Sequence, residues 1–304
     1  EVSDEDIIMN DVFIISNFIN LSERHKNMLM LKKYIIYEHD HKYIKTRDPG
    51  VFPDFKIPKD QIVNEEFYKK AHKVVVLSEI CKDVLQNNLN LSNVVSIGCS
   101  LWSQSKLDYI RSINTSDKIE KFCIINSNNP IKGTKECIQY CNKKNINYDL
   151  IGPLPENDLL AEMSKYEYFI FLPHVLETLS RVVVEAKMLN CKVMTKKQLI
   201  GAASEDWFTM SGNELIDRIE EKICSAIQLF YDLLEDESIT VILNCYRRPE
   251  NLREQIESIK NQSISVDQLW IWVNHHEDNK DVDFSSFNVD RVIKNDYNWK
   301  FYGR

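Results

Sequence analysis

Short apolar runs that alternate with helix-length segments constrain the fold of this chain more than any other feature of its sequence. Eight such runs of three or four residues fall at residues 12–15, 34–37, 74–77, 94–97, 122–125, 148–151, 169–172 and 192–194. Strands buried on both faces of a parallel sheet have this short, continuous apolar character, and helices in the intervening segments cover the sheet. The pattern therefore predicts an α/β fold built on parallel sheets.

Two stretches divide the chain into units. A polar stretch at residues 112–118 separates the fourth run from the fifth, so we predict a joint there between two Rossmann-like lobes, residues 1–112 and 113–234. A smaller α/β unit, residues 237–304, begins after an acidic stretch at 235–237. The sequence predicts in it a strand at 239–243, a turn at 247–249, a helix at 250–260 and a second strand at 269–273.

Composition narrows the class of protein. With 304 residues, of which 43% are hydrophobic, the chain can bury the cores of two or three domains. Its net charge of −8 argues against a nucleic-acid partner or an anionic membrane surface, both of which require a basic excess. We find no apolar stretch long enough to span a bilayer and no signal peptide. These features predict a cytoplasmic protein without a stable membrane span.

The cysteines indicate a reducing compartment. The chain has eight, with no CxxC pair, and several of them lie inside apolar runs, as Cys123 does. Buried, reduced thiols are the favoured interpretation, with zinc ligands or disulfides as the alternative.

Two glutamates follow the seventh apolar run. Glu177 and Glu185 are separated by seven residues, and the segment between them opens a predicted helix. Glutamates at this spacing also occur on ordinary solvated helix faces. Glu185, however, stands between Val182-Val183-Val184 and Ala186, where an unpaired carboxylate would be costly to bury. We therefore expect Glu185 to have a specific partner or ligand.

This spacing resembles the signature of the family-four retaining glycosyltransferases, which have the two-lobed GT-B fold. The resemblance implies that Glu177 faces the donor sugar as a catalytic residue and that Glu185 faces the ribose. It also implies that backbone N–H groups near Leu179 and Ser180, at a helix N-terminus, meet the donor diphosphate. The same segment adds two residues to the predicted donor-binding set, Thr178 and Arg181. The Phe-Gly pair common in that family is Leu179-Ser180 here.

Two glycine turns extend the resemblance. Lys132-Gly133 precedes a predicted helix and resembles the family's Lys-Gly turn, in which the lysine neutralises the donor phosphates as a point charge. The alternative is an ordinary exposed turn lysine. Ser127 stands where the family often has an arginine, so either Arg181 supplies charge or the donor is held differently. Gly152 begins a turn that resembles the one beneath the nucleoside, which implies backbone contacts near the base.

A polar cluster follows the second apolar run. His39 is our first choice, and His41 our second, for the histidine that many family members place opposite the reacting carbon. A metal site or a strand cap are the alternatives for these histidines. Four charged residues follow and would contact either an acceptor or the leaving phosphates, with a solvated basic edge as the favoured alternative: Lys42, Lys45, Arg47 and Asp48. The glycine-rich first loop typical of the family does not occur, so we expect either that it preceded Glu1 or that this lobe is reduced.

The last unit resembles the opening of a GT-A glycosyltransferase of the family-two type. The resemblance places Tyr246, Arg247 and Arg248 near a nucleotide base, and Asn274 at the end of the second strand. The Asp-x-Asp that would hold a divalent metal, Mn or Mg, is not reached by Arg304. We therefore expect a fragment with an inactive last unit, no cofactor in the GT-B part, and a metal only where a complete GT-A domain exists.

The predicted function is transfer of a sugar, with retention, from a nucleotide diphosphate donor to a hydroxyl acceptor such as a glycan or polysaccharide. Two alternatives remain open at the level of the sequence. One is a catalytically idle nucleotide- or glycan-binding scaffold with the GT-B fold. The other is a GT-B sugar epimerase.

Overall fold

A computed structural model describes residues 2–235, 240–245, 249–262, 266 and 268–296. The chain forms two compact units, Glu1–Phe230 and Tyr231–Arg304. All three sheets within them are parallel and are connected through helices. The predicted α/β class with parallel sheets is confirmed, while the predicted domain bounds stay predictions.

The first sheet contains four strands in the order of the chain, β1-β2-β3-β4. The strands are β1 Val12–Ile15, β2 Lys33–Tyr37, β3 Lys73–Val76 and β4 Val94–Ser96. The helices are α1 Asp4–Met9, α2 Glu23–Leu29, α3 Glu65–Lys70 and α4 Glu79–Leu89. Val74 and Val75 are fully buried, as expected for a strand covered on both faces.

The second sheet has a different order, β6-β5-β7-β8. Its strands are β5 Ile119–Ile125, β6 Tyr148–Ile151, β7 Tyr166–Phe171 and β8 Lys192–Thr195. The associated helices are α5 Gln104–Ile113, α6 Thr134–Lys144, α7 Glu156–Met163, α8 Arg181–Met188 and α9 Gly212–Glu235. The chain leaves β5 toward one side of the sheet and returns to β7 on the other. This reversal opens a crevice outside the carboxyl ends of β5 and β7, where α/β proteins bind ligands.

The eight strands predicted for these two sheets are all present, but two begin more than one residue before their apolar runs. β5 begins at Ile119 and β7 at Tyr166, each three residues before its run. Glu120 is exposed and Glu167 is only half-buried. The apolar run marks only the part of a strand that is buried on both faces, so a partly solvated strand end gives no such signal.

Helix α9 returns from the second sheet to the first. Near its start, Arg111 of α5 donates to Asp217 at 2.6 Å and to Glu220 at 2.8 Å. Farther along, the Phe230 ring lies 5.4 Å from the ring of Tyr37, at the end of β2. The helix therefore contacts elements of both sheets.

The second unit contains a three-stranded parallel sheet in the order β11-β10-β9. Its elements are β9 Thr240–Cys245, α10 Asn251–Lys260, β10 Gln268–Val273 and β11 Arg291–Lys294. The two predicted strands and the helix are present, and β11 was not predicted. Asn274 is buried after β10, where its N–H donates to the Cys245 carbonyl at 2.9 Å. Three residues predicted to lie near a nucleotide base fall outside the described residues: Tyr246, Arg247 and Arg248.

All eight cysteines are thiols rather than disulfides, of which seven are buried and Cys224 on α9 is exposed. Among the described residues, no helix combines the length and the apolar character needed to cross a membrane.

Candidate functional site

A cleft of about 700 Å³ opens at the crevice of the second sheet. Its lining comes from both sheets of the first unit, because residues after β2 face residues that follow β5 and β7. Eight of the ten predicted site residues line it: His39, Lys132, Glu177, Thr178, Leu179, Ser180, Arg181 and Glu185. Residues that sequence reasoning placed on separate elements are thus brought to one surface.

The other two predicted residues, Gly133 and Gly152, lie at the turns that shape the cleft rather than on its lining. Gly133 has φ +68°, and a Cβ there would lie 1.9 Å from the carbonyl oxygen of Leu172. The turn after β5 can therefore pack against the end of β7 only with glycine at this position. Gly152, with φ +81°, begins the turn before α7, and that helix contributes Leu159 to the lining.

Lys132 and Glu177 form an ion pair on the lining of the cleft. The ammonium of Lys132 donates to Glu177 Oε1 at 2.8 Å. The Lys132 side chain is 41% exposed and that of Glu177 is 15% exposed. An ion pair this open to solvent contributes little to stability, so the lysine can leave it for another anion at small cost.

Backbone pairing holds the loop that carries Glu177. The Glu177 N–H donates to the Leu199 carbonyl at 3.0 Å, and the Gly201 N–H donates to the Glu177 carbonyl at 2.8 Å. A Cβ on Gly201 would lie 2.1 Å from the Thr178 carbonyl oxygen. Sequence reasoning missed this role of Gly201. The only available signal was that the chain has just seven glycines, so each of them is a candidate for a structural role.

The same loop is anchored in the first sheet through Leu176. Its side chain is buried in the apolar core that covers that sheet. The Leu176 N–H donates to Asp48 Oδ1 at 3.0 Å, and its carbonyl lies 3.2 Å from His41 Nε2. Because a carbonyl only accepts, His41 Nε2 carries the proton and Nδ1 accepts from the Tyr43 hydroxyl at 3.2 Å. Burial lowers the pKa of His41 and favours this neutral form. His41, our second choice for the cleft, has a structural role.

His39, the first choice, lies on the cleft lining. Its ring packs 4.2 Å from the ring of Tyr37, and its carbonyl accepts from Thr178 Oγ1 at 2.8 Å. Although part of the residue is exposed, desolvation lowers the pKa of His39, Lys42 lowers it further, and Glu38 opposes the shift. The ring is therefore neutral at pH 7 and can donate or accept a hydrogen bond. Throughout the part of the chain that is described, no three His, Cys, Asp or Glu side chains meet as a metal site.

Glu185 also lines the cleft and is only 6% exposed. Its Oε1 accepts from the indole N–H of Trp102 at 2.9 Å, and Arg181 lies 3.5 Å away. Burial raises the pKa of Glu185, while Trp102 and Arg181 oppose the shift. The Arg181 guanidinium also lies 5.4 Å from the Trp102 ring centre. Sequence reasoning found Glu185 but missed Trp102, because 83 residues separate the two partners.

Ser180 marks the start of α8 between the two glutamates. It has φ +70°, a conformation that glycine adopts far more readily than serine. The residue is 5% exposed, and its hydroxyl is buried without a hydrogen-bond partner although it lines the cleft. The first N–H groups of α8 also lack partners within the helix. This part of the cleft therefore offers several hydrogen-bond donors to an anion.

We expect Ser180→Gly to be more stable than Ser180→Ala by about 1 kcal/mol, because glycine removes the left-handed strain that alanine retains. Both variants lose the hydroxyl, so both should bind a ligand at this site less tightly by a similar factor. Urea unfolding of the two variants tests the strain, and calorimetric titration tests the hydroxyl. Equal stabilities would contradict the role assigned to the backbone conformation.

Comparison with known proteins provides no family for this chain. No protein-family model matches it, and a search of curated proteins gives no match.

Proposed function

We propose that residues 1–230 bind a nucleotide diphosphate sugar in the cleft and transfer the sugar, with retention, to a hydroxyl acceptor, as a glycosyltransferase of the GT-B type. The observation that carries the proposal is the buried Ser180 hydroxyl without a partner, at a helix N-terminus flanked by Glu177 and Glu185. A buried polar group of this kind is costly unless a ligand completes it. A nucleotide diphosphate sugar matches this arrangement. Its diphosphate is the anion, and its two sugars carry hydroxyl groups that can donate hydrogen bonds to the two carboxylates.

The diphosphate would lie at the N-terminus of α8, with Lys132 as its mobile counter-charge. Lys132 is 41% exposed, and its pair with Glu177 is weakly stabilising, so exchange of the carboxylate for a phosphate is inexpensive. Negative charge grows on the diphosphate as the bond to the sugar breaks. Donors that are already oriented toward that charge lower the barrier, because no reorganisation is needed during the reaction.

The exchange of partners by Lys132 also changes Glu177. Once the lysine contacts phosphate, both carboxylate oxygens of Glu177 are available to accept hydrogen bonds from the sugar hydroxyls. His39 lies on the same lining and is neutral, so it can orient a reacting hydroxyl without adding charge. Binding of the donor would then itself release the Glu177 carboxylate from Lys132 and make it available to the sugar.

Glu185 would hold the ribose. Trp102 and Arg181 both contact its Oε1, which orients the carboxylate in a site that excludes most water. A fixed carboxylate can accept from two vicinal hydroxyls, and such charge-assisted hydrogen bonds are stronger than neutral ones. The start of α8 lies between Glu177 and Glu185 in the chain and would meet the diphosphate. The three parts of a donor would thus meet three different groups.

The second unit enters the proposal only as a partial GT-A-like segment. Its parallel strands β9 and β10 have the order expected for the opening of a nucleotide-binding α/β unit. A divalent metal, Mn or Mg, would act there only together with a complete domain of that type. Polysaccharide assembly in the cytoplasm is the setting that we propose for both units.

We expect Lys132→Ala to weaken binding of UDP or GDP by about tenfold or more, because a charged hydrogen bond to the diphosphate is lost. Lys135→Ala is the matched control, since Lys135 is exposed on α6 and does not line the cleft. Calorimetric titration measures both variants beside the unaltered protein. Failure of every nucleoside diphosphate to bind, or equal binding by the two variants, would refute the proposal.

Turnover is measured separately with a panel of nucleotide sugars. Transfer to an added hydroxyl acceptor, with slow hydrolysis when none is added, is the expected result. Tight nucleotide binding without any turnover would instead indicate an idle scaffold. A changed sugar without added acceptor would indicate an epimerase. Each outcome identifies a different class of protein on the same fold.

A further inference from the structure

A second cavity, of about 380 Å³, lies beside the donor cleft. His39, Glu177 and Thr178 line both cavities and form a shared wall. The rest of its lining comes mainly from the loop after β2 and from the loop before α8. A molecule in this second cavity would therefore present its atoms to the wall that faces the donor sugar.

The two cationic side chains near this cavity, Arg47 and Lys42, already form ion pairs with carboxylates. Arg47 forms an ion pair with Asp40, and Asp40 Oδ1 also lies 2.9 Å from Lys42 Nζ. Lys42 is almost fully buried and forms a second pair, at 2.9 Å, with the buried Glu38. An incoming anion would have to compete with Asp40 for Arg47.

The remaining polar groups of the cavity are acceptors or neutral. Asp48 is 6% exposed, and its Oδ1 accepts the N–H groups of Gly50 at 2.8 Å and Leu176 at 3.0 Å. Burial lowers the pKa of both His39 and His41, which leaves the two rings uncharged at neutral pH. The lining then holds three carboxylates, those of Asp40, Asp48 and Glu177, and one arginine. Such a surface repels phosphate but can hydrogen-bond to hydroxyl groups.

We infer that the second cavity binds the acceptor and that it selects a neutral saccharide over an acceptor that carries phosphate. The inference rests on the proposed function and adds the chemical class of the second substrate. In the transfer, the acceptor oxygen bonds to the anomeric carbon while the bond from that carbon to the phosphate oxygen breaks. The electron pair stays with the nucleoside diphosphate, and the hydroxyl proton passes to that leaving oxygen.

The first test measures binding by NMR with isotope-labelled histidine. His41 lines only the second cavity and His39 lines both, while His25 and His72 line neither and serve as reference signals. The probes are methyl glucoside, galactoside and mannoside, together with the hexose phosphates of the same sugars. We expect at least one neutral hexoside to shift His39 and His41 with about tenfold higher affinity than its phosphate. Equal or tighter binding of a hexose phosphate, or no binding of any hexoside, would overturn the inference.

A variant that removes one carboxylate of the second cavity tests the charge argument. Asp40→Asn removes one negative charge and releases Arg47, so hexose phosphates should bind about tenfold more tightly. Asp206→Asn is the matched control, because Asp206 pairs with an arginine and a lysine, Arg218 at 3.0 Å and Lys222 at 3.7 Å, away from both cavities. Unchanged phosphate binding by Asp40→Asn would count against the charge argument.

Arg47→Gln provides an independent readout if Asp40→Asn folds poorly, because Arg47 is 49% exposed. It should abolish the residual binding of hexose phosphates and leave hexoside binding within about threefold. Titration of UDP or GDP on the same sample reports on the donor cleft alone. If the unaltered protein binds hexosides but no nucleotide, the proposed function is refuted; if it binds nucleotides but no hexoside, only the acceptor inference is refuted.

Discussion

Glu185→Gln is expected to weaken binding of UDP or GDP by about thirtyfold to a hundredfold, because charge-assisted hydrogen bonds to the ribose hydroxyls are replaced by neutral ones. Trp102 can still donate to the glutamine oxygen, so the side chain should keep its position. Calorimetric titration provides the affinity. Glu221→Gln is the control, since Glu221 is exposed on α9 and pairs with Arg218.

The same substitution should stabilise the fold at neutral pH. Burial raises the pKa of Glu185 above its ordinary value of 4.5, so the folded state holds this proton more tightly than the unfolded state does. The free energy of unfolding therefore falls as the pH rises from the ordinary pKa through the raised one, because ionisation of the buried carboxyl opposes folding. Glutamine does not ionise and removes this loss. Urea unfolding of both proteins at acid and neutral pH should show curves that diverge as the pH rises.

Nucleotide binding should have the opposite pH dependence. In the proposed complex the ionised Glu185 would accept two hydrogen bonds from ribose, whereas the protonated form has lost part of that capacity. Affinity should therefore fall as the pH drops through the raised pKa of Glu185. A nucleotide affinity for Glu185→Gln that follows the same pH profile as the unaltered protein would contradict this assignment.

Gly201→Ala is expected to destabilise the first unit by about 3 kcal/mol, because its Cβ would lie 2.1 Å from the Thr178 carbonyl oxygen. That oxygen cannot move away freely, since it accepts from Ser78 Oγ at 2.7 Å. If the variant folds by displacing the loop, Glu177 moves with it, and sugar transfer should fall by about a hundredfold for a shift near 1 Å.

Chemical denaturation and transfer assays test Gly201→Ala against Ala203→Ser. Ala203 lies in the same turn and is only half-buried, so a small addition there should change stability by no more than about 0.5 kcal/mol. A loss below about 1 kcal/mol in Gly201→Ala would show that the loop tolerates displacement, and the rigid placement of Glu177 would then be wrong.

Sequence reasoning located the residues whose signal is local. Glu177 and Glu185 were found because one short segment joins a strand end to a helix, and the apolar neighbours of Glu185 indicated burial. Lys132 was found because a glycine turn follows a strand. In each case the chain itself brings the functional group to the carboxyl edge of a parallel sheet, so the periodicity of the strands predicts its place.

Partners that depend on packing could not be predicted in this way. Trp102 reaches Glu185 across 83 residues, and the buried Ser180 hydroxyl became visible only once its surroundings were known. Which of His39 and His41 faces the cleft also depends on packing and could not be predicted. The chain turns at His41, where φ is +59°, and directs that ring into the core, while His39 stays on the cleft. No residue pattern distinguishes two histidines that lie two positions apart after a strand.

Leu176 follows β7 of the second sheet, yet it completes the apolar core of the first. A protein severed between the two sheets would leave the first half with a vacancy among its buried side chains and the second half with an exposed leucine. Neither half should then fold stably by itself. The two sheets should melt together, and separately expressed halves should gain order only when they are mixed.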